Sequence, residues 1–315
     1  MRLRDTDRTV SAYPATDGIR RRIAAAPMSV LSAATIAVVL SASPTIVAAD
    51  ESEDPRVGTS LSDQSEALRQ PAVAATRSLG SPEAVDLSDR FPPAGFQTKS
   101  DGASWALAYA TMSYYLKGSR DTFSPSFVHD LINRGRACRH AYSILDAAKT
   151  IEAVGLVETS RYPYRSDCSE VPTALMEEAK RGRFIRRLDR VTPLRASTVR
   201  SQLAKSDPVV VALDLPAALA SGNPGTTVVE ARAGGRTLGT QAMVVVAYDS
   251  RRHALKLLNS WGPSWGDRGG AWISDATFDG YVREGWVVRP DAPPAAKNPS
   301  VATETPRDRV SEDGS

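Results

Sequence analysis

The sequence predicts an α+β protein of two packed halves. Two observations predict this: helical periodicities crowd the first part of residues 84–290, and short β-branched runs crowd the second. The first helix is expected over Ser104 to Leu116, where Trp105, Tyr109, Met112 and Leu116 recur at helical spacing and Gly118 ends the pattern. A second is expected over Ser126 to Arg134, entered through Ser124-Pro125, and a third over Tyr142 to Val154, closed by Gly155. Strands are expected at Pro208 to Leu213, Ala242 to Tyr248 and Leu255 to Leu258, the last two joined by a polar turn at Asp249–Arg252. Thr227 to Glu230 is a further candidate.

The 42% hydrophobic content of the 315 residues suffices for a sizeable core. Net charge is +3, and residues 1–49, with six Arg and three Asp, account for all of it. The balanced remainder argues against a broad nucleic-acid face. Lys180-Arg181-Gly182-Arg183 with Arg186-Arg187 is an example of a local basic stretch, and it reads as a solvated helix end and loop.

Residues 1–49 read as an export signal. Arg20-Arg21-Arg22 precedes an uncharged run from Ile23 to Ala49, and Val47-Ala48-Ala49 offers small residues for cleavage before Asp50. The run is long enough to span a membrane, but Pro27, Pro44 and its many Ser and Ala residues make it a weak anchor. A secreted or cell-envelope protein, free of the membrane after cleavage, is the expectation. Residues 50–83 are polar and aperiodic and read as a flexible arm, and residues 291–315 as a disordered tail. The globular domain is then 84–290.

Three scattered histidines (His129, His140, His253) and two cysteines show no metal-ligand spacing, so neither a metal nor another cofactor is expected. His129 falls inside the second expected helix, where packing or surface exposure is its expected fate, and His253 falls in a hairpin turn. An even pair of cysteines, Cys138 and Cys168, in an exported chain reads as a possible disulfide. Its loop closure would contribute roughly 3–4 kcal/mol.

Two segments carry a resemblance. One is Gln97-Thr98-Lys99-Ser100-Asp101-Gly102-Ala103-Ser104-Trp105-Ala106-Leu107, and the other is Asn259-Ser260-Trp261-Gly262-Pro263-Ser264-Trp265-Gly266. With Val85-Asp86-Leu87 and Tyr162-Pro163-Tyr164 in order between and before them, they resemble the papain family of cysteine peptidases over nearly all of 84–290. The resemblance implies a helical half, an antiparallel β-barrel-like half and a cleft between them. It also implies that Cys138 and Cys168 stand at positions that pair with other cysteines in the family; those partners are missing, so a Cys138–Cys168 bridge and its absence both stay open.

In that alignment Ser104 takes the nucleophile position, Gln241 that of the basic His, Asn259 that of the orienting Asn and Gln97 that of the oxyanion donor. Gln97 stands seven residues before Ser104, where the family has six. A cysteine nucleophile works as a thiolate, held by a helix dipole and an imidazolium. A serine hydroxyl needs a general base, and the amide of Gln241 cannot serve as one. Ser104 is expected to cap the helix, and Gln241 to bond to Asn259 or Ser104. Trp105, Tyr142, Trp261 and Trp265, with Arg139 and His140 in place of the family's Gly-Gly pair, are expected beside the cleft, and the two bulky residues to hinder peptide pairing there.

These residues point to an exported, monomeric papain-like pseudoprotease that binds a peptide or protein. One rival is a hydrolase using Ser104, with His140 as substitute base. Another is a structural envelope protein whose cleft is filled. No cleft-covering propeptide is expected, because 50–83 is short and aperiodic.

Overall fold

A computed structural model describes residues 54–75, 82–115, 122–134, 138, 140–182, 185–220 and 225–291. The expected signal, the tail beyond 291, Leu116, Gly118 and Arg139 lie outside them. Among the described residues no helix is long and apolar enough to cross a membrane.

The helical half begins with α2 (Gly102–Ser104), which runs on as a π-helical stretch (Trp105–Met112) and α3 (Ser113–Tyr115). Seven of the eight π-helical residues are buried, so this element is a core rod and lacks a polar face. Then come α4 (Pro125–Ile132), α5 (Ile144–Val154) and α6 (Thr173–Ala179). The starts of α4 and α5 follow from the sequence. The Ser124 hydroxyl accepts from Phe127 N with Pro125 at the first helical position, and Ser143 and Asp146 form a reciprocal capping box. Gly155 ends α5 at φ 88°, where a side chain would be strained.

The β half adds β3 (Ile185–Val191), α7 (Ala196–Leu203), β4 (Val209–Pro216), α8 (Ala217–Ala220), β5 (Val228–Val229), β6 (Thr237–Asp249), β7 (Ala254–Leu258), β8 (Gly270–Ser274), α9 (Asp275–Tyr281) and β9 (Val282–Pro290). Ahead of both halves stand α1 (Gln64–Arg69), β1 (Ala72–Val73) and β2 (Ala84–Asp86). The strands form one path, β1-β3-β9-β4-β6-β7-β8-β5, with β2 on β6. It is mostly antiparallel and does not close, so the expected barrel-like half is an open, mixed sheet.

Side chains alternate across this sheet. Val210, Ala212, Ala242, Val244 and Val246 join the core of the helical half. Val209, Val211, Leu213, Met243 and Val245 join a second core closed by Val199, Leu203 and Phe278 of α7 and α9. Burial on both faces is why β4 and β6 read as continuous apolar runs. Strands β3 and β9 escape such a reading because their partly exposed positions carry charge. Arg187 and Arg289 both bond to Asp189, and Arg289 also reaches Asp207. The basic stretch expected as a loop is therefore half strand: Arg186 and Arg187 lie on β3, while Lys180 pairs with Glu177.

Candidate functional site: a groove held by amides and filled by the chain itself

The site forms where the two motif segments meet. Gln97 N donates to Ser260 O (2.7 Å) and Gly262 N to Gly95 O (2.7 Å). Gly262 has φ 89°, and a Cβ there would fall 2.4 Å from the ring of Phe96, so this junction requires glycine. Gln97 and Asn259 are thereby fixed on facing strands of chain, and β6 brings Gln241 between them.

Four side chains form one buried network. Gln241 Nε2 donates to Gln97 Oε1 (3.0 Å) and to Asn259 Oδ1 (3.2 Å), and Ser260 Oγ donates to Gln97 Oε1 (2.7 Å). Gln97 Nε2 donates to Lys99 O (2.8 Å) and to Arg56 O (2.8 Å). The structure thus brings together Gln97, Gln241 and Asn259, and the one-residue excess before Ser104 does not displace Gln97. None of the four side chains titrates near neutrality.

Ser104 is absent from this network. It is the third residue of α2, not its cap; the cap position is Asp101, which makes no capping bond. Two residues of helix turn about 200°, so Gly102 and Ser104 face opposite ways. A Cβ at Gly102 would lie 3.2 Å from Gln241 Oε1, whereas the Ser104 hydroxyl lies 2.6 Å from the Tyr142 phenol. Tyr142 OH is in turn 3.1 Å from His129 Nδ1, and His129 Nε2 is 3.1 Å from Cys138 O. Ser104, Tyr142 and His129 are all buried. Burial and the nearby Lys99 ammonium hold the His129 pKa down at about 3, so the ring is neutral. His140 is exposed, whereas the Ser104 hydroxyl is buried against Tyr142; the substitute base of the rival reading is not in place. His253 is exposed in its turn. Cys138 and Cys168 are bonded to each other.

Asp101, at the mouth of α2, is fully buried. Its pKa is raised to about 7 because burial outweighs the attraction of Lys99 and a long bond from Tyr164.

The groove between the walls is occupied by residues 54–62, which overturns the expectation of an uncovered cleft beside a flexible arm. Thr59 N donates to Thr240 O of β6 (3.0 Å) and Ser60 N to Tyr142 O of the helical half (3.2 Å). The backbone pairing expected to suffer beside Arg139 and His140 is therefore made at Tyr142, two residues beyond His140. Ser100 Oγ donates to Pro55 O and Ser62 N to Glu284 Oε1. The Arg56 guanidinium stands 4.4 Å over Trp261, which meets Trp265 edge-on at 5.6 Å. Trp105 packs between Tyr109 and Tyr164, away from solvent. Beyond the groove α1 is tied to α5 by Glu66–Lys149, and β1 pairs with β3. Gly102, Gly58 and Arg56 were not legible as site residues. Only the seven-residue spacing hinted that α2 is shifted in register, and the π-helical stretch after Ser104 is the form that an extra residue takes in a helix.

The two halves, the groove and its paired Gln and Asn define a papain-like scaffold. The profile described as papain family cysteine protease matches residues 102–280, more than half of the chain. The chain therefore belongs to the papain family of cysteine proteases. Among solved structures it is similar to xylellain, a cysteine protease from Xylella fastidiosa, with a TM-score of 0.66 and 17% identity over 76% of this chain and 97% of that one. It is also similar to digestive procathepsin L 3 of Tenebrio molitor larval midgut (TM-score 0.59, 16% identity, 75% of this chain and 76% of that one). Bromelain from Ananas comosus, in complex with the E64 inhibitor, matches with a TM-score of 0.52 and 22% identity over 66% and 98%. At these identities the likeness is one of fold. No curated protein sequence matches the chain.

Proposed function

We propose that this chain is an exported, catalytically silent member of the family, a pseudoprotease whose groove binds an extended peptide or protein segment, with residues 54–62 as its occupant in cis. One observation carries the reading. Where a nucleophile and base should face each other, a glycine that has no side chain faces an amide that cannot take a proton, Gly102 against Gln241. Ser104 gives no alternative, because its hydroxyl is buried against Tyr142, and the imidazole of that network, His129, meets Tyr142 and not Ser104 and is a feeble base with its pKa held down at about 3. The groove nonetheless supports backbone pairing on both walls, as Thr59 and Ser60 demonstrate. Export rests on the Arg20–Arg22 and Ile23–Ala49 pattern.

The test is a peptide-library digest read by mass spectrometry, with the chain from Asp50, its Ser104→Ala variant and a Gly102→Cys/Gln241→His double variant. The expected result is a silent parent and a double variant that cleaves either its own segment 54–62 or library peptides that displace that segment. Cleavage by the parent that Ser104→Ala abolishes would overturn the proposal.

A further inference from the structure

The Cys138–Cys168 disulfide is packed against a buried imidazole. Cys168 Sγ lies 3.4 Å and Cys138 Sγ 4.0 Å from His129 Nε2. All three atoms lie within 4.8 Å of one another. With zinc–sulfur and zinc–nitrogen bonds of about 2.3 and 2.05 Å, tetrahedral ligands sit about 3.6 Å (sulfur to nitrogen) and about 3.8 Å (sulfur to sulfur) apart. The two sulfur–nitrogen distances already bracket the first value. We propose that reduction of Cys138–Cys168 opens a redox-gated site for a thiophilic divalent cation of the zinc type, with Cys138 Sγ, Cys168 Sγ and His129 Nε2 as ligands and a water in fourth place.

The chemistry balances. A thiol or phosphine reductant supplies two electrons, the sulfur–sulfur bond breaks, and two protons complete the thiols. Both cysteines are partly exposed, whereas His129 is fully buried. The cation then takes an electron pair from each sulfur and from the imidazole, and two protons leave to solvent. Two thiolates neutralise its charge. The neighbouring Lys99 ammonium is offset by Asp130, 3.8 Å away and next to His129 in the chain.

The network behind the ring fits this role. In the disulfide form the carbonyl of Cys138 can only accept, so His129 Nε2 carries the proton, Nδ1 accepts from the Tyr142 hydroxyl, and the Tyr142 oxygen accepts from Ser104. A ligating His129 needs the other tautomer, with the ring proton on Nδ1. The hydroxyls of Tyr142 and Ser104 each rotate from donor to acceptor, so Nδ1–H then donates to Tyr142, and Tyr142 to Ser104. A hydroxyl pair serves both tautomers; a carboxylate or an amide would fix one. Metal-bound histidines are oriented by such a partner on the second nitrogen. Ser104, turned away from the groove, thereby gains a positioning role.

Cobalt(II) is the probe. The full chain, reduced with a phosphine under nitrogen, is titrated with Co²⁺ and then with Zn²⁺. One equivalent of Co²⁺ should give sulfur-to-cobalt charge-transfer absorption and the visible bands of a tetrahedral N/S set, and Zn²⁺ should bleach both. The oxidised chain should give neither. His129→Asn and His129→Gln should weaken binding at least tenfold, and Tyr142→Phe about 10- to 100-fold with stoichiometry unchanged. Absence of charge-transfer absorption in the reduced chain overturns the proposal, as does a signal whose affinity is indifferent to both His129 variants. If reduction alone unfolds the chain by near-ultraviolet circular dichroism, recovery of that signal with Zn²⁺ supports the site and failure to recover it overturns it.

Discussion

Two polar networks flank the first turn of α2, and they are built from opposite kinds of group. On the groove side stand Gln97, Gln241, Asn259 and Ser260, all without a titration near neutrality. On the core side stand Ser104, Tyr142 and His129, a hydroxyl, a phenol and an imidazole. The residues that look chemical in the sequence are the ones shut away from the groove, and the groove side of α2 is lined by amides and a serine hydroxyl. About 200° of helix separates the two settings, so residue type alone misleads: which side of α2 a side chain leaves from decides what it can do.

The sharpest way to break this comparison is to move reactive groups across the helix. Ser104→Cys/Gln241→His should stay silent because its thiol points into the core, while Gly102→Cys/Gln241→His should gain peptide cleavage by at least about 100-fold over it. Peptide turnover measured side by side checks this, and equal activity of the two would contradict the opposed facing of Gly102 and Ser104.

A smaller but still large effect concerns Asp101, between the networks. Its folded pKa of about 7 lies above its ordinary value of 3.8. The folded state thus binds a proton that the unfolded state releases, and the stability from that site is present below about pH 4 and lost as pH rises through 7. Asp101→Asn should remove a loss on the order of a few kcal/mol between pH 5 and pH 8. Urea unfolding of parent and variant at both pH values would show the parent alone losing stability.

On the core side, Tyr142→Phe strands the Ser104 hydroxyl and His129 Nδ1 without their shared partner. It should cost about 1–3 kcal/mol, measured by urea unfolding, whereas Ser104→Ala leaves Tyr142 its bond to His129 and should cost less. On the groove side, a Cβ at Gly58 would fall 2.6 Å from Ser100 Oγ and 2.8 Å from Ser100 Cβ. Gly58→Val should therefore loosen residues 54–62 and speed their limited proteolysis several-fold. Arg56→Ala should have the smallest effect, about 1 kcal/mol for a half-buried cation that lies over Trp261 and pairs with Asp54, read from Trp fluorescence during unfolding.

Much of the frame was legible. The helices at 125–132 and 144–154 announced themselves through Ser124-Pro125 and Gly155, whose roles are local. Strands β4, β6 and β7 announced themselves as apolar runs because the sheet buries both of their faces. Strands β3 and β9 did not, since Arg187, Asp189 and Arg289 pair with one another and hide the period. The joining of Gln97, Gln241 and Asn259 was legible through resemblance. The occupancy of the groove by 54–62 was not: its contacts are mostly backbone hydrogen bonds, and a backbone amide leaves no trace in residue type.

What the sequence determined by itself is the local chemistry: the Ser124-Pro125 entry of α4 and the Gly155 stop of α5, which runs are apolar enough to be strands, and that position 241 holds an amide. What the tertiary structure alone decided is direction and proximity. It turned Ser104 inward to Tyr142 and His129, set Gly102 before Gln241, joined Cys138 to Cys168, and laid an unremarkable polar segment through the groove. The physical reason is that helix register and long-range backbone pairing depend on how the halves pack as a whole, and a shift of one or two residues reverses the face on which a side chain emerges.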